Sequence, residues 1–117
     1  MKNRRATGAG YELRAASYLE ARGFRILERN FRSRTGEIDI IAQDGDTLVF
    51  AEVKYRSSGS FGAPEEAVDG RKQERIRRTS DYYILTHGVP EGCPVRFDVI
   101  GIMGGEIRHI KDAFPYR

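Results

Sequence analysis

The chain has one cysteine, Cys93, and no tryptophan in 117 residues. A single cysteine excludes an internal disulfide and fits a reducing cytoplasm. There are two histidines, His87 and His109, far apart in sequence. With one cysteine they leave no zinc-type ligand set. No apolar run approaches the length needed to span a bilayer. The N-terminus is basic (Lys2, Arg4, Arg5) but no apolar stretch follows it, so a secretory signal is not expected. No internal repeat and no glycine loop of the phosphate-binding kind is present, and nothing resembles a nucleophilic triad.

What is present is a charged chain of one-domain length: 39% hydrophobic, 32% charged, formal net charge +3. The basic residues are clustered, which favours a polyanionic partner. Residues 1–8 read as a flexible basic lead into a single domain. A helix is expected from about Ala9 to Arg22, stopped by Gly23, with Ala15, Ala16 and Leu19 on one face. Phe24 to Arg32 reads as a strand. Two further strands flank Asp44-Gly45-Asp46 as a hairpin. A Gly/Ser loop at 57–62 follows, then a helix start at Pro64–Val68 and a longer helix from Asp69 to Thr86. Pro94 to Met103 is a strand, and a short last strand ends near Ile110. The order αβββαββ implies an α/β fold with a mixed central β-sheet flanked by helices.

The hairpin carries the chemistry. Glu52 and Lys54 are two apart and share a strand face. If Gly45 and Asp46 form the turn, Asp39 faces Glu52. If Asp44 and Gly45 do, Asp39 faces Phe50 with Glu52 diagonally next. Either two-residue turn leaves Asp39, Glu52 and Lys54 on one face. The apolar residues divide into Ile38, Ile40, Val49, Ala51 and Val53 on one side and Ile41, Leu48 and Phe50 on the other. A hairpin apolar on both faces belongs inside a sheet. Two carboxylates in reach of one hard cation, with an ammonium beside them, suit metal-assisted hydrolysis by Mg²⁺, with Mn²⁺ as a substitute.

Other candidates are weaker. Glu12 could reach the site from the first helix, or be an exposed glutamate near a helix start; spacing leaves both open. Glu37 shares parity with Asp39 but lies at the strand start and reads as a surface residue. Arg71, Arg75 and Arg78 form a stripe on the second helix that could hold phosphates, or a solvated face. Lys72 shares a stripe with Ile76, Thr79 and Tyr83 and is expected to point towards the sheet and its site, and with Arg71, Arg75 and Arg78 to hold a nucleic-acid backbone. Phe61 reads as core more than as a base-stacking residue. Tyr82, Tyr83 and Phe97 read as core, Asp98 as structural, and His87 and His109 as surface or turn residues.

Asp39, twelve intervening residues, then Glu52-Val53-Lys54 resembles the motif of the PD-(D/E)XK nuclease superfamily, with Ile38 where proline usually precedes the first acid. The segments Gly36–Ala42, Phe50–Arg56, Phe61-Gly62 and Arg96–Val99 together resemble the YraN-like family of bacterial proteins. The resemblance extends from about Gly10 to Phe114. That family is similar to archaeal Holliday junction resolvases, whose sites add a glutamate from the first helix, where Glu12 falls. The resemblance implies a restriction-endonuclease-like fold and a Mg²⁺-dependent endonuclease acting on DNA, branched DNA included. It implies Asp39, Glu52 and Glu12 as metal ligands, Lys54 as a catalytic residue, and a homodimer, since a four-way junction needs two symmetric cuts. A DNA-binding or scaffolding module without catalysis, and a nuclease acting on RNA, are the rival readings.

Overall fold

A computed structural model describes residues 4–56 and 68–116. The expected Gly/Ser loop, Phe61 and the helix start before Val68 lie outside those residues. Helix α1 spans Arg4–Ala21 and is followed by strands β1 (Arg25–Ser33), β2 (Gly36–Asp44) and β3 (Thr47–Arg56). Helix α2 spans Gly70–Thr86, and strands β4 (Val95–Met103) and β5 (Glu106–Phe114) complete the order αβββαββ. The five strands form one sheet in the order β1-β2-β3-β4-β5. Only β3 and β4 pair in parallel; the other three ladders are antiparallel. This is the expected mixed α/β architecture, and it is consistent with a restriction-endonuclease-like fold.

Each helix covers one face of the sheet. Ala15, Ala16 and Leu19 of α1 pack on Ile40, Ala42, Val49, Ala51, Ile100 and Ile102. Ile76 and Tyr83 of α2 pack on Ile41, Leu48, Phe50, Phe97 and Val99. The β-bonded strands are thus buried on both sides, as a hairpin apolar on both faces requires. The helix α2 begins where Asp69 accepts a hydrogen bond from the Lys72 N–H at 2.9 Å, satisfying an amide that the helix leaves free. The helix α1 starts at Arg4, five residues before the expected Ala9, so part of the basic lead is helical.

Ile38 departs from the expected division of faces. It belongs to the α2-side cluster with Phe31 and Ile41, while Ile40, two residues on, belongs to the α1 side. A flat strand would keep them together. Asn30, opposite Asp39 in the β1–β2 register, has φ 56°. A left-handed residue twists the ribbon sharply at that point, and the faces exchange across it. The last strand also runs to Phe114 rather than Ile110. The β4–β5 register shifts between Phe97 and Val99, Asp112 has φ 54°, and pairing resumes at Phe97↔Phe114.

Candidate active site

The hairpin adopts the first of its two registers. Ile40 pairs with Ala51 and Asp44 with Thr47, leaving Gly45 and Asp46 as the turn. Gly45 has φ 60°, the conformation that a two-residue turn with glycine first requires. The β2–β3 ladder stops at Ile40↔Ala51. Beyond it β3 stays on β4 as far as Arg56↔Met103, while β2 follows β1 to Ser33↔Gly36. The sheet therefore splits next to Asp39. There the Val53 N–H donates to Asp39 Oδ2 at 2.8 Å in place of a strand carbonyl. The Asp39 side chain sits in the split itself and meets groups from both faces of the sheet.

On the α2 side lies Glu52, only 4% exposed. Its Oε1 has no hydrogen-bond partner among the described residues. Leaving a buried carboxylate oxygen unpaired costs about 1–3 kcal/mol or more, so such an atom calls for an explanation. Burial, and then the nearby Asp39 carboxyl, push the Glu52 pKa well above the usual carboxylate range, against the opposing pull of Lys72 and Lys54. Lys72 Nζ lies 3.9 Å from Glu52 Oε2. An open cleft of about 400 Å³ is lined by Glu37, Asp39, Glu52, Lys72 and Arg75 among others. Lys54 is not in that lining. It is held close enough to Lys72 that burial first, and the neighbouring ammonium second, lower its pKa.

On the α1 side, carboxylate oxygens of Glu12, Glu37 and Asp39 lie within 4.8 Å of one another. Burial and the Asp39 charge raise the Glu12 pKa, and the Asn30 side chain opposes them with a hydrogen bond. The residue that creates the twist therefore also steadies Glu12. Glu37 is exposed, as expected of it, and also belongs to this group. It is also held by Arg32, whose Nε lies 2.9 Å from its Oε2. Its parity with Asp39 was the available signal.

The basic stripe of α2 divides. Lys72 and Arg75 face the cleft. Arg71 and Arg78 are exposed, with Arg78 Nε 3.5 Å from Glu74. Arg77 donates to the Pro115 carbonyl at 2.9 Å and is engaged structurally.

Asp98 takes the structural role expected of it. It is fully buried and accepts hydrogen bonds from Arg96 at 2.9 Å and from the Asp112 N–H at 3.0 Å. His109 Nε2 lies 2.7 Å from its Oδ2. Thus His109 is an interior residue tying β5 to β4, not a turn histidine. His87 is exposed and stacks on Tyr83. Tyr83 and Phe97 are core, whereas Tyr82 is 48% exposed.

Fold and site together define a mixed α/β protein in which acidic side chains from three elements converge where a central sheet splits. Residues 11–102 match the family described as "Uncharacterised protein family UPF0102", and the chain belongs to that family. A UPF0102 protein of Lachnoclostridium phytofermentans is 49% identical over 112 residues, covering 96% of this chain and 95% of that one. One from Persephonella marina is 50% identical over 103 residues, covering 88% of each. One from Aliivibrio salmonicida is 43% identical over 114 residues, covering 95% and 93%. No helix among the described residues is long and apolar enough to cross a membrane.

Proposed function

We propose that this chain is a divalent-cation-dependent endonuclease that hydrolyses phosphodiester bonds in DNA, branched or otherwise structured DNA included. The observation that carries the reading is Glu52: a buried carboxylate with an unpartnered oxygen, on a residue that lines a cleft together with Asp39. A carboxylate pair that is costly when ionised alone is the arrangement a hard cation would stabilise. Asp39 and Glu52 would hold Mg²⁺ or Mn²⁺, with Glu12 reaching Asp39 from the other side of the split. Such an ion would neutralise charge on the scissile phosphate and make a bound water nucleophilic. Lys54 orients the attacking water or balances the negative charge that develops. Arg75 at the cleft and Arg71 and Arg78 beyond it hold the backbone without reading sequence.

The test is incubation of the purified protein with Mg²⁺ or Mn²⁺ and linear, single-stranded or four-way DNA. Cleavage is expected, reduced at least about 100-fold by Asp39→Asn and by Lys54→Ala. Cleavage that survives both substitutions would sink the assignment. Binding to DNA with no Mn²⁺ uptake by calorimetry would favour a non-catalytic DNA-binding module. Preferential cleavage of RNA in competition with DNA would redirect the substrate.

A further inference from the structure

Five basic residues lie between positions 71 and 78 of α2, and in the linear sequence they look like one phosphate grip. The structure separates them. Arg77 is spent on the Pro115 carbonyl and on Gln73. Arg78 leans on Glu74 in the same helix. Lys72 alone of the five forms an ion pair with a buried acid of the site, Glu52, and at 3.9 Å the contact is longer than a hydrogen bond. Its side chain is 39% exposed, so the ammonium keeps access to the cleft. The Asp69 cap anchors its backbone in the first turn of α2. The position of Lys72 is thus fixed by the fold while its donors are left uncommitted.

Resting on the nuclease reading above, we propose that Lys72 is a catalytic residue that binds the reacting phosphate, acting together with Lys54 and not with the backbone-holding arginines. The charge count leads there. Two ammonium groups, from β3 and α2, stand close together beside one buried carboxylate. Asp39 and Glu52 would hold a cation that balances this carboxylate's charge. Lys72, which lines the cleft with Lys54 close beside it, would then be left without that counter-ion, and the non-bridging oxygens of a phosphodiester are the anion to replace it. Without a cation, Lys72 instead stands in for it as the only positive group within ion-pair distance of Glu52 among the described residues. The two states compete, and both can be measured.

The experiment compares Lys72→Ala, Lys72→Arg and Arg78→Ala in the full chain. Steady-state cleavage is followed with Mg²⁺, and Mn²⁺ binding by calorimetry without nucleic acid. Lys72→Ala is expected to lower kcat about 100-fold with little change in KM. Lys72→Arg should recover part of the loss. Arg78→Ala should raise KM and leave kcat unchanged. In the calorimeter Lys72→Ala should bind Mn²⁺ several-fold more tightly than the parent, because a competing positive charge is gone. A purely structural role for Lys72 would not tighten metal binding. If the parent cleaves and Lys72→Ala changes only KM, as Arg78→Ala does, the proposal is overturned and the nuclease reading stands. Unchanged or weaker Mn²⁺ binding by Lys72→Ala overturns it as well. A parent protein that cleaves nothing overturns both.

Discussion

Glu52 is the residue on which most of the proposed chemistry turns, and its burial has a consequence for stability. Burial and Asp39 raise its pKa in the folded chain above its value in the unfolded one. The folded state therefore binds this proton more tightly. Stability is full below the ordinary glutamate range and is lost as pH rises towards and through the raised value. At about pH 8, far above the ordinary glutamate range, the metal-free protein no longer has the full stabilisation that the Glu52 proton gives. Glu52→Gln should raise the unfolding midpoint there by a few degrees, the response to about 1 kcal/mol in a chain of this size. Near pH 4 the advantage should vanish. Mn²⁺ should stabilise the parent at the higher pH and leave Glu52→Gln unchanged. Equal midpoints for the two proteins across the whole range would show that Glu52 carries no such burden. The sequence made Asp39, Glu52 and Lys54 legible because strand parity is a local property. Burial of Glu52 to 4% was not legible; it depends on α2, which lies beyond a long connection.

At the level of elements, the decisive feature is the twist of the β1–β2 ribbon at Asn30. It sends Ile38 and Ile40 to opposite faces, ends the β2–β3 ladder at Ile40↔Ala51, and leaves Asp39 in the gap. Helix and strand identities were readable from periodicity and from Gly23 and the Gly45 turn. The twist was not, because a single asparagine in left-handed geometry leaves no periodic trace. For the same reason β5 was read as ending early: its register shift at Asp112 breaks the alternation before Phe114. The assignment of the twist to Asn30 can be tested by two substitutions of opposite sense. Asn30→Gly retains the backbone geometry and removes the side chain that steadies Glu12. It should fold normally and bind Mn²⁺ at Asp39 and Glu52. Asn30→Val opposes φ 56° and should cost about 1–2 kcal/mol in chemical denaturation. It should also weaken Mn²⁺ binding, since the split in the sheet depends on the twist. Undiminished Mn²⁺ binding in a destabilised Asn30→Val would mean that the gap is held open by something else.

At the scale of the molecule, the described arginines of the two helices are engaged differently. The formal excess is only +3, too little to drive association by net charge alone. But α2, with its arginines, covers one face of the sheet, and the cleft opens beside its first turns. The face under α1 offers its cations differently. Arg14 donates to the Gly104 carbonyl at 2.8 Å and Arg22 lies over the Tyr18 ring at 4.0 Å. On the nuclease reading proposed above, a duplex would rest on the α2 face, with its counterions released there. Binding of a short duplex, followed by fluorescence anisotropy with Ca²⁺ in place of Mg²⁺, should weaken linearly with the logarithm of salt concentration. Arg75→Ala and Arg78→Ala should each reduce the slope by about 1, the loss of one neutralised phosphate. Arg22→Ala should leave it unchanged. Each substitution removes the same charge from the total, so net charge predicts three equal effects and a single binding face predicts two. A slope reduced equally by all three would remove α2 from its place as the nucleic-acid surface, while leaving the carboxylates at the split to be judged by metal binding alone.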